Sequence, residues 1–349
     1  MEPDAVILHL SDLHFSGFLQ NVDNIGEWSQ VAKTHDFLVL QEMEGVVRPI
    51  LNKYRDRVVV GITGDLTTAA EPPAYEILTT YLLGKVWVSD KKRVGLGLEG
   101  DFGLRERVLV VPGNHDAWLR LSGVLRHLTR WKNYTDRRKL FSEYFGLTPR
   151  VVPLLVNGIS FMFYLLDSNE MLSTVRNSFN LENALGHGRV GKSQIGKILG
   201  EINEPSEKPP QHFNPATAIR IVLMHHHAAI PTEHPVDLEQ RLLRLTDGAD
   251  VQGLFENQLR PHLVLCGHQH FPYLYPDPAE YEKGRPWLSC AGTATQHHSR
   301  VNSFKVYYVY AKPRLRGIDI EDYRRERDPN NAAVSKFQLH SQIGIPFFN

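Results

Sequence analysis

The sequence predicts a layered α/β fold, in which strands and helices alternate along the chain. Short apolar runs rich in Val, Ile and Leu recur, as expected for strands buried in a sheet. Segments with helical periodicity lie between several of these runs, and such alternation is typical of layered α/β proteins. The predicted strands are Val6–Leu10, Val58–Ile62, Val108–Val111, Ile159–Leu166, Ile219–Met224, Leu263–Cys266 and Phe304–Tyr310. The predicted helices are Phe37–Leu51, Ala74–Leu83 and Ser193–Ile202.

A longer helical segment follows the third predicted strand. Residues 117–150 exceed a simple crossover helix, and their apolar side chains recur at heptad-like spacing, so we predict an inserted helical arm or lid. An apolar stripe of this kind must be buried, and homo-oligomerisation through the arm is one way to bury it. The basic residues on its other side form either a solvated face or a rim that attracts phosphate or a partner. They are Arg126, Arg130, Arg137, Arg138 and Lys139.

The domain organisation is predicted to be one large unit with a short addition. Residues 1–312 carry all the strands and chemical motifs described here and form the main domain. Residues 313–349 begin with Pro313, pass through a charged stretch and end in apolar Ile343–Phe348. We expect this C-terminal appendage to pack on the main domain.

The composition excludes several classes of protein. The chain of 349 residues is 42% apolar and 22% charged, which is ordinary globular usage and not that of a disordered or fibrous protein. Lys plus Arg and Asp plus Glu both number 39, so no global charge attracts nucleic acid or an anionic membrane. The longest mostly apolar stretch, Pro153–Leu166, is too short to span a bilayer. An acidic start and only two cysteines favour a cytoplasmic protein.

Histidine is concentrated in one part of the chain. Nine of the seventeen histidines lie between His225 and His298, with a triplet at its beginning and a His-x-His pair in the middle. Neutral imidazole is the commonest protein ligand for transition metals, so this concentration indicates a metal site.

Side chains that bind metals follow five of the predicted strands. In open α/β sheets, ligands bind beyond the carboxyl ends of the strands, where loops present side chains from a rigid frame. Each motif alone is compatible with a plain turn, but five independent turns would rarely all select Asp, Asn and His. The motifs are Ser11-Asp12-Leu13-His14, Gly64-Asp65, Gly113-Asn114-His115-Asp116, His225-His226-His227 and Gly267-His268-Gln269-His270.

This ordered set resembles the calcineurin-like metallophosphoesterase superfamily. The matching motifs run from Asp12 to His270, about three quarters of the chain. The resemblance implies a four-layer αββα sandwich with two metal ions bridged by Asp65. It further implies that His115 contacts the substrate phosphate or protonates the leaving group. The implied ligands are Asp12, His14 and His270 for one ion and Asn114, His226 and His268 for the other.

General chemistry supports a centre of this kind independently. Only an anion with two oxygens can span two divalent ions about 3.5–4 Å apart, which suits Asp65. A shell of Asp, Asn and His without Cys suits Mn, Fe, Zn or Co. Water held between two such ions loses much of its proton affinity. We therefore expect a metal-bridging hydroxide that attacks phosphorus in line, without a Ser or Cys nucleophile.

Several residues near the motifs have alternative interpretations. His115 is adjacent to Asn114 and points elsewhere, so a general acid is its natural role, and Asp116 either orients the His115 ring or caps the turn. In the family pattern His-His-Pro the first His is the ligand, and Ala228 stands where that Pro would be. This alignment selects His226, with His225 as the alternative ligand. We place His227 at the substrate entrance.

The predicted function is a metal-dependent phosphoesterase. Gly64-Asp65-Leu66-Thr67, followed by two prolines and Tyr75, resembles the cyclic-nucleotide phosphodiesterase-like branch, so we expect a phosphodiesterase whose substrate class includes nucleotides. The first alternative is a DNA-repair-type nuclease, which the zero net charge disfavours. The second is a non-catalytic metal-binding scaffold, which the complete set of proposed ligands disfavours.

Overall fold

The computed structural model describes most of the chain. The described residues are 1–15, 37–68, 70–84, 86–89, 92–98, 107–117, 130–146, 148–170, 187–203, 207–228, 245–276, 285–295, 301–311, 317–326 and 336–346. Within them the strands are β1 (Ala5–Leu10), β2 (Val58–Thr63), β3 (Val86–Ser89), β4 (Lys92–Val94), β5 (Val108–Val111), β6 (Arg150–Val156), β7 (Ile159–Leu165), β8 (Ile219–Leu223), β9 (Leu263–Cys266), β10 (Tyr273–Tyr275), β11 (Trp287–Cys290), β12 (Val301–Tyr310), β13 (Gly317–Glu326) and β14 (Gln338–Pro346). The α-helices are α1 (Phe37–Lys53), α2 (Pro72–Leu83), α3 (Arg130–Phe145), α4 (Lys192–Asn203) and α5 (Gly248–Leu254).

Two six-stranded sheets form the frame. The first has the order β14-β13-β12-β1-β2-β5, with β1, β2 and β5 parallel. The second has the order β10-β11-β9-β8-β7-β6, and its middle strands β11, β9, β8 and β7 are parallel. Parallel strands place their carboxyl ends at one edge, so the loops after β1, β2 and β5 share an edge, as do those after β8 and β9.

Side-chain alternation along the strands produces three apolar layers. On β1, Leu8 faces a core shared with α1, α2 and α3, whereas Ile7 faces the core between the two sheets. On β7, Phe163 faces the same central core, and Tyr164 faces a third core shared with α4 and α5. The order helix, sheet, sheet, helix confirms the predicted four-layer αββα sandwich.

The predicted elements compare directly with the described ones. Each predicted strand and helix is confirmed within a few residues. The arm predicted at 117–150 is described only in part, since residues 118–129 and 147 lie outside the described residues, and α3 covers its second half. The region predicted as an appendage contributes β13 and β14, which pair successively beside β12 and extend the first sheet. No helix among the described residues is long and apolar enough to cross a membrane.

Candidate metal centre

The five motifs meet at the carboxyl ends of the strands that precede them. Backbone hydrogen bonds fasten the loops together, with the Asp12 N–H donating to the Gly64 carbonyl at 3.0 Å and the His14 N–H to the Asp65 carbonyl at 2.9 Å. On the second sheet, the Gly267 N–H donates to the His225 carbonyl at 3.1 Å. The loops are therefore positioned by backbone contacts independent of the side chains they present.

Backbone strain is concentrated at the proposed ligands. Non-glycine residues rarely adopt positive φ, and they keep it only where the surrounding structure enforces it. Five of the predicted ligands do so: Asp12 (φ 52°), His14 (49°), Asp65 (48°), His268 (69°) and His270 (53°). Such strain at adjacent loops is characteristic of a functional site.

A first cluster combines Asp12, His14, Asp65 and His270. One donor atom from each lies within 4.8 Å of all the others. His270 Nε2 is 3.1 Å from Asp12 Oδ1, and His14 Nε2 is 4.0 Å from Asp65 Oδ2. These are the three ligands implied for one ion together with the implied bridge.

A second cluster combines Asp65, His225 and His268, again within 4.8 Å. His225 Nε2 lies 3.0 Å from Asn114 Oδ1, 3.1 Å from His268 Nδ1 and 3.4 Å from Asp65 Oδ2. The other ring nitrogen of His225 donates to the Thr63 carbonyl at 2.7 Å, which leaves Nε2 free to bind a metal. The two clusters share Asp65, as a bridging carboxylate requires.

The donor atoms fit a pair of divalent ions. His14 Nε2 is buried, and no hydrogen bond to it occurs within the described part of the protein. Burial, and to a smaller extent the neighbouring His115, lowers the pKa of His14 to about 3. The imidazole of His14 is therefore neutral at physiological pH. Neutral imidazole is the form that binds metals. A buried lone pair without a hydrogen-bond donor, 4.0 Å from a carboxylate oxygen of Asp65, suits a metal ligand.

The buried Asp65 carboxylate is stabilised by positive charge beside it. Burial alone would raise the pKa of Asp65, but His225 and His115 beside it hold the pKa well below its ordinary value. Burial alone would lower the pKa of His225, but the Asp65 carboxylate raises it to about 9. A metal ion bound here would displace the proton from His225 Nε2 and balance the Asp65 carboxylate in its place.

His115 lies at the mouth of the centre. Its backbone N–H donates to Asp65 Oδ1 at 2.8 Å, and its Nε2 is 4.0 Å from Asp65 Oδ2. Its side chain is 38% exposed, whereas those of His14 and Asp65 are 5% and 2% exposed. Nδ1 is 3.2 Å from the Thr68 carbonyl. This position between the metal cluster and solvent suits a group that meets the substrate.

Asp116 occupies the turn-cap position that the sequence left open. Its two oxygens accept hydrogen bonds from the N–H groups of Gly113, Leu66 and Thr67, at 3.0–3.1 Å, and from the Thr67 hydroxyl at 3.0 Å. The carboxylate thus joins the loops after β2 and β5. None of these contacts involves the His115 ring, which Asp116 was alternatively predicted to orient.

The histidine triplet distributes its side chains over three environments. His225 belongs to the second cluster, in place of His226. Both the backbone N–H and Nδ1 of His226 contact the Ser168 hydroxyl, and its ring centroid is 4.2 Å from that of His268. His227, predicted to line the substrate entrance, is instead 1% exposed. Its ring bonds to the Gly267 carbonyl and the Tyr273 hydroxyl, so that prediction is corrected.

Residues outside the predicted set also support the centre. The Ser11 hydroxyl donates to Asp12 Oδ2 at 2.5 Å and to the Thr63 carbonyl at 3.1 Å. A Cβ at Gly267 would lie 1.8 Å from the Ser11 oxygen, so this contact requires glycine there. The signal available in the sequence was the hydroxyl residue directly before Asp12.

Comparison with known proteins identifies the family. The family model described as calcineurin-like phosphoesterase matches residues 5–272, more than three quarters of the chain. The chain belongs to this family. Calcineurin-like phosphoesterases are metal-dependent hydrolases, and both clusters lie within the matched residues. No curated protein sequence matches the chain.

One solved structure reaches a TM-score of 0.50 with this calcineurin-like phosphoesterase, and two further structures are similar to it at lower scores. A dimetal phosphatase from Danio rerio is 12% identical, with a TM-score of 0.50 over 99% of this chain and 100% of that chain. The sulfate thiohydrolase SoxB of Thermus thermophilus is 11% identical, with a TM-score of 0.45 over 92% and 56% of the two chains. Vps29 of Chaetomium thermophilum is 10% identical, with a TM-score of 0.35 over 98% and 95%.

Proposed function

We propose that this calcineurin-like phosphoesterase is a phosphodiesterase that uses two divalent ions, of Mn, Fe, Zn or Co, and whose substrate class includes nucleotides. The observation that carries the proposal is the pair of buried clusters that share Asp65. In this assignment Asp12, His14 and His270 hold one ion. Asn114, His225 and His268 hold the other, and Asp65 belongs to both.

The protein side chains prepare the centre for phosphoester hydrolysis. When bound, two divalent ions polarise the phosphate and lower the pKa of a water. Asp65 is oriented by the His115 N–H on Oδ1. His225 is oriented by the Thr63 carbonyl on Nδ1, which directs the Nε2 lone pair inward. The ligands are thus held in place before substrate arrives, which favours catalysis by preorganisation.

His115 is suited to deliver a proton to the leaving oxygen. Its Nδ1 faces the Thr68 carbonyl, which fixes the orientation of the ring. Its Nε2 lies 4.0 Å from Asp65 Oδ2, beside the centre, where it can meet the leaving group of a bound substrate. General acid catalysis of this kind contributes typically about 10²–10⁴-fold to the rate.

The arginines of α3 favour a small phosphodiester over nucleic acid. Two basic residues of α3 are engaged within the protein: Arg137 donates to the Ala70 carbonyl, and Arg138 donates to the Thr148 carbonyl and lies 3.3 Å from Asp167. Engaged arginines contribute less to a phosphate-tracking surface.

The test is hydrolysis of bis(p-nitrophenyl) phosphate by the purified, manganese-loaded protein. We expect steady release of nitrophenolate, abolished in Asp65→Asn together with the loss of bound manganese, because the amide cannot neutralise two ions. Asp250→Asn, the same change at an exposed position on α5, serves as the matched control and retains activity. Full activity in Asp65→Asn would refute the assignment of the bridge.

A second assay separates the two enzyme classes. Single-stranded DNA degradation that falls steeply as salt is raised would favour the nuclease, since binding that neutralises many phosphates is salt-dependent. Activity on cyclic nucleotides with little dependence on salt supports the phosphodiesterase. Two bound ions without hydrolysis of any phosphoester would favour the non-catalytic scaffold.

A further inference from the structure

A second kind of ligand cluster lies behind the dinuclear centre and is not used by the phosphoesterase site. His227, Cys266 and Cys290 are buried, and one donor atom from each lies within 4.8 Å of the others. They stand at the carboxyl ends of the neighbouring strands β8, β9 and β11, where Cys266 and Cys290 are register partners. The tertiary structure thus brings together the only two cysteines of the chain and a histidine.

The separation of the donor atoms matches a shared ion. Cys266 Sγ is 3.5 Å from His227 Nδ1. In a tetrahedral zinc site with Zn–S of about 2.3 Å and Zn–N of about 2.0–2.1 Å, sulfur and nitrogen ligands are about 3.5–3.6 Å apart. The separation of these two donor atoms is therefore the one that a shared zinc ion requires.

The orientation of the His227 ring also matches that of a metal ligand. Its Nε2 contacts the Gly267 carbonyl, so Nε2 carries the proton and Nδ1 presents a lone pair toward Cys266. A ring N–H donated to a backbone carbonyl is the usual way a ligating histidine is fixed. The Tyr273 hydroxyl contacts the same Nδ1, so a fourth oxygen lies beside the three donors.

We propose that His227, Cys266 and Cys290, with the Tyr273 oxygen, bind a third metal ion of the zinc class. The two sulfurs contact the Ser289 and Gly267 carbonyls at 3.6 and 3.5 Å, as thiols that donate weak hydrogen bonds. Binding exchanges the two thiol protons, released to solvent, for one divalent ion. Two thiolates, a neutral imidazole and a neutral phenol then leave the site uncharged, which suits its burial.

The third ion would act structurally on the dinuclear centre. His227 is two residues beyond His225, and Cys266 is two residues before His268. An ion held between them ties the ends of β8, β9 and β11 together directly behind both loops. The soft sulfur donors distinguish it from the Asp, Asn and His shell of the catalytic pair.

Cobalt substitution tests the third site without reference to activity. The full-length protein is produced in cobalt-supplemented medium and kept reduced, and its cobalt content and absorption spectrum are measured. Because only Cys266 and Cys290 can supply thiolate, a thiolate-to-cobalt charge-transfer band reports this site alone. We expect about three cobalt ions per chain and a clear band.

Two variants separate the third site from the proposed function. Asp65→Asn removes the shared ligand of the dinuclear centre and is expected to keep the charge-transfer band. Cys290→Ser is expected to lose most of the band and one ion while retaining the other two. Wild-type protein that binds two cobalt ions with no thiolate band would overturn the proposal, as would a band of full intensity in Cys290→Ser.

Discussion

The histidine triplet shows how one step in register decides which imidazole joins the cluster around Asp65. His225 directs Nε2 at Asn114, Asp65 and His268, whereas His226 bonds through Nδ1 to Ser168. Both rings are buried and both belong to the same loop. Residue type alone therefore does not distinguish them.

Paired substitutions distinguish the two histidines. We expect His225→Ala to lower bound manganese from two ions toward one and to reduce diester hydrolysis by about 10²-fold or more, because a direct ligand is lost. His226→Ala, the same change one residue away, is expected to retain both ions. Metal analysis of the two variants is the measurement. An ion lost from His226→Ala but kept in His225→Ala would restore the assignment made from the sequence.

His262 predicts a pH dependence of stability away from the metal centre. Burial, reinforced by Arg220, lowers the pKa of His262 to about 4, and its Nδ1 accepts the Arg220 N–H at 3.1 Å. The unfolded chain, with a histidine pKa of about 6.5, takes up the proton first as pH falls, so folding stability decreases below that pH. From pH 7 to pH 5 this group removes about 2 kcal/mol.

Urea unfolding of wild type and His262→Asn at both pH values isolates this contribution. The Asn oxygen replaces Nδ1 as acceptor but does not titrate. We therefore expect the variant to lose about 2 kcal/mol less than wild type between pH 7 and pH 5. Equal losses in the two proteins would show that His262 is not responsible. The other histidines titrate in both proteins and cancel in the comparison.

At the scale of structural elements, the loops after β2 and β5 are joined by one side chain. Asp116 accepts four hydrogen bonds from Gly113, Leu66 and Thr67, in a site where it is 1% exposed. These loops carry Asp65 and Asn114. The metal ligands of two strands thus depend on a carboxylate that touches neither ion in the proposed assignment.

Removal of the Asp116 carboxylate is expected to destabilise the protein strongly. Asp116→Ala leaves buried N–H groups without an acceptor, at a cost of about 3 kcal/mol or more in the free energy of unfolding. Urea unfolding in the presence of a chelator measures this without the contribution of bound metal. Asp250→Ala, on the exposed face of α5, is the matched control and should change stability by less than about 0.5 kcal/mol. A similarly small change in Asp116→Ala would show that the hydrogen bonds of Asp116 are not needed for stability.

At the scale of the whole molecule, the C-terminal segment completes the first sheet. β13 pairs with β12 over ten residues, from Val301↔Glu326 to Tyr310↔Gly317, and β14 covers the next edge. Ile318, Ile320 and Ile345 from these strands are buried in the core between the two sheets. The segment therefore contributes to the core in addition to covering an edge.

Truncation after residue 312 tests that contribution. Loss of three buried isoleucines removes about 5–9 kcal/mol of apolar burial, comparable to the whole stability of a typical domain. It also exposes the edge of β12, which promotes association between chains. We expect the shortened protein to be insoluble or aggregated by size-exclusion chromatography, whereas a chain ending at Pro346 behaves as wild type. A monomeric, stable 1–312 fragment would establish residues 313–349 as a separable appendage.

The sequence predicted the strands and helices that have a strong apolar pattern. It did not predict the strands β13 and β14, which form because they pair with a neighbouring strand. Buried parallel strands such as Val58–Ile62 are recognisable because both faces are apolar. β13 and β14 escaped prediction because their alternation mixes charged and apolar residues, as in Gly317–Glu326, and resembles a solvated tail. Their strand character comes from pairing, of β13 with β12 and of β14 with β13.

By itself the sequence determined the fold class and the family, because these follow from apolar periodicity and from motifs at strand ends. Only the tertiary structure decided that His225, and not His226, lies in the cluster with Asp65 and His268. It also decided that Asp116 accepts hydrogen bonds from two neighbouring loops. It alone buried His227 beside Cys266 and Cys290. The physical reason is that ligand choice depends on the direction of each side chain, and that direction is set by long-range backbone contacts between loops far apart in the chain.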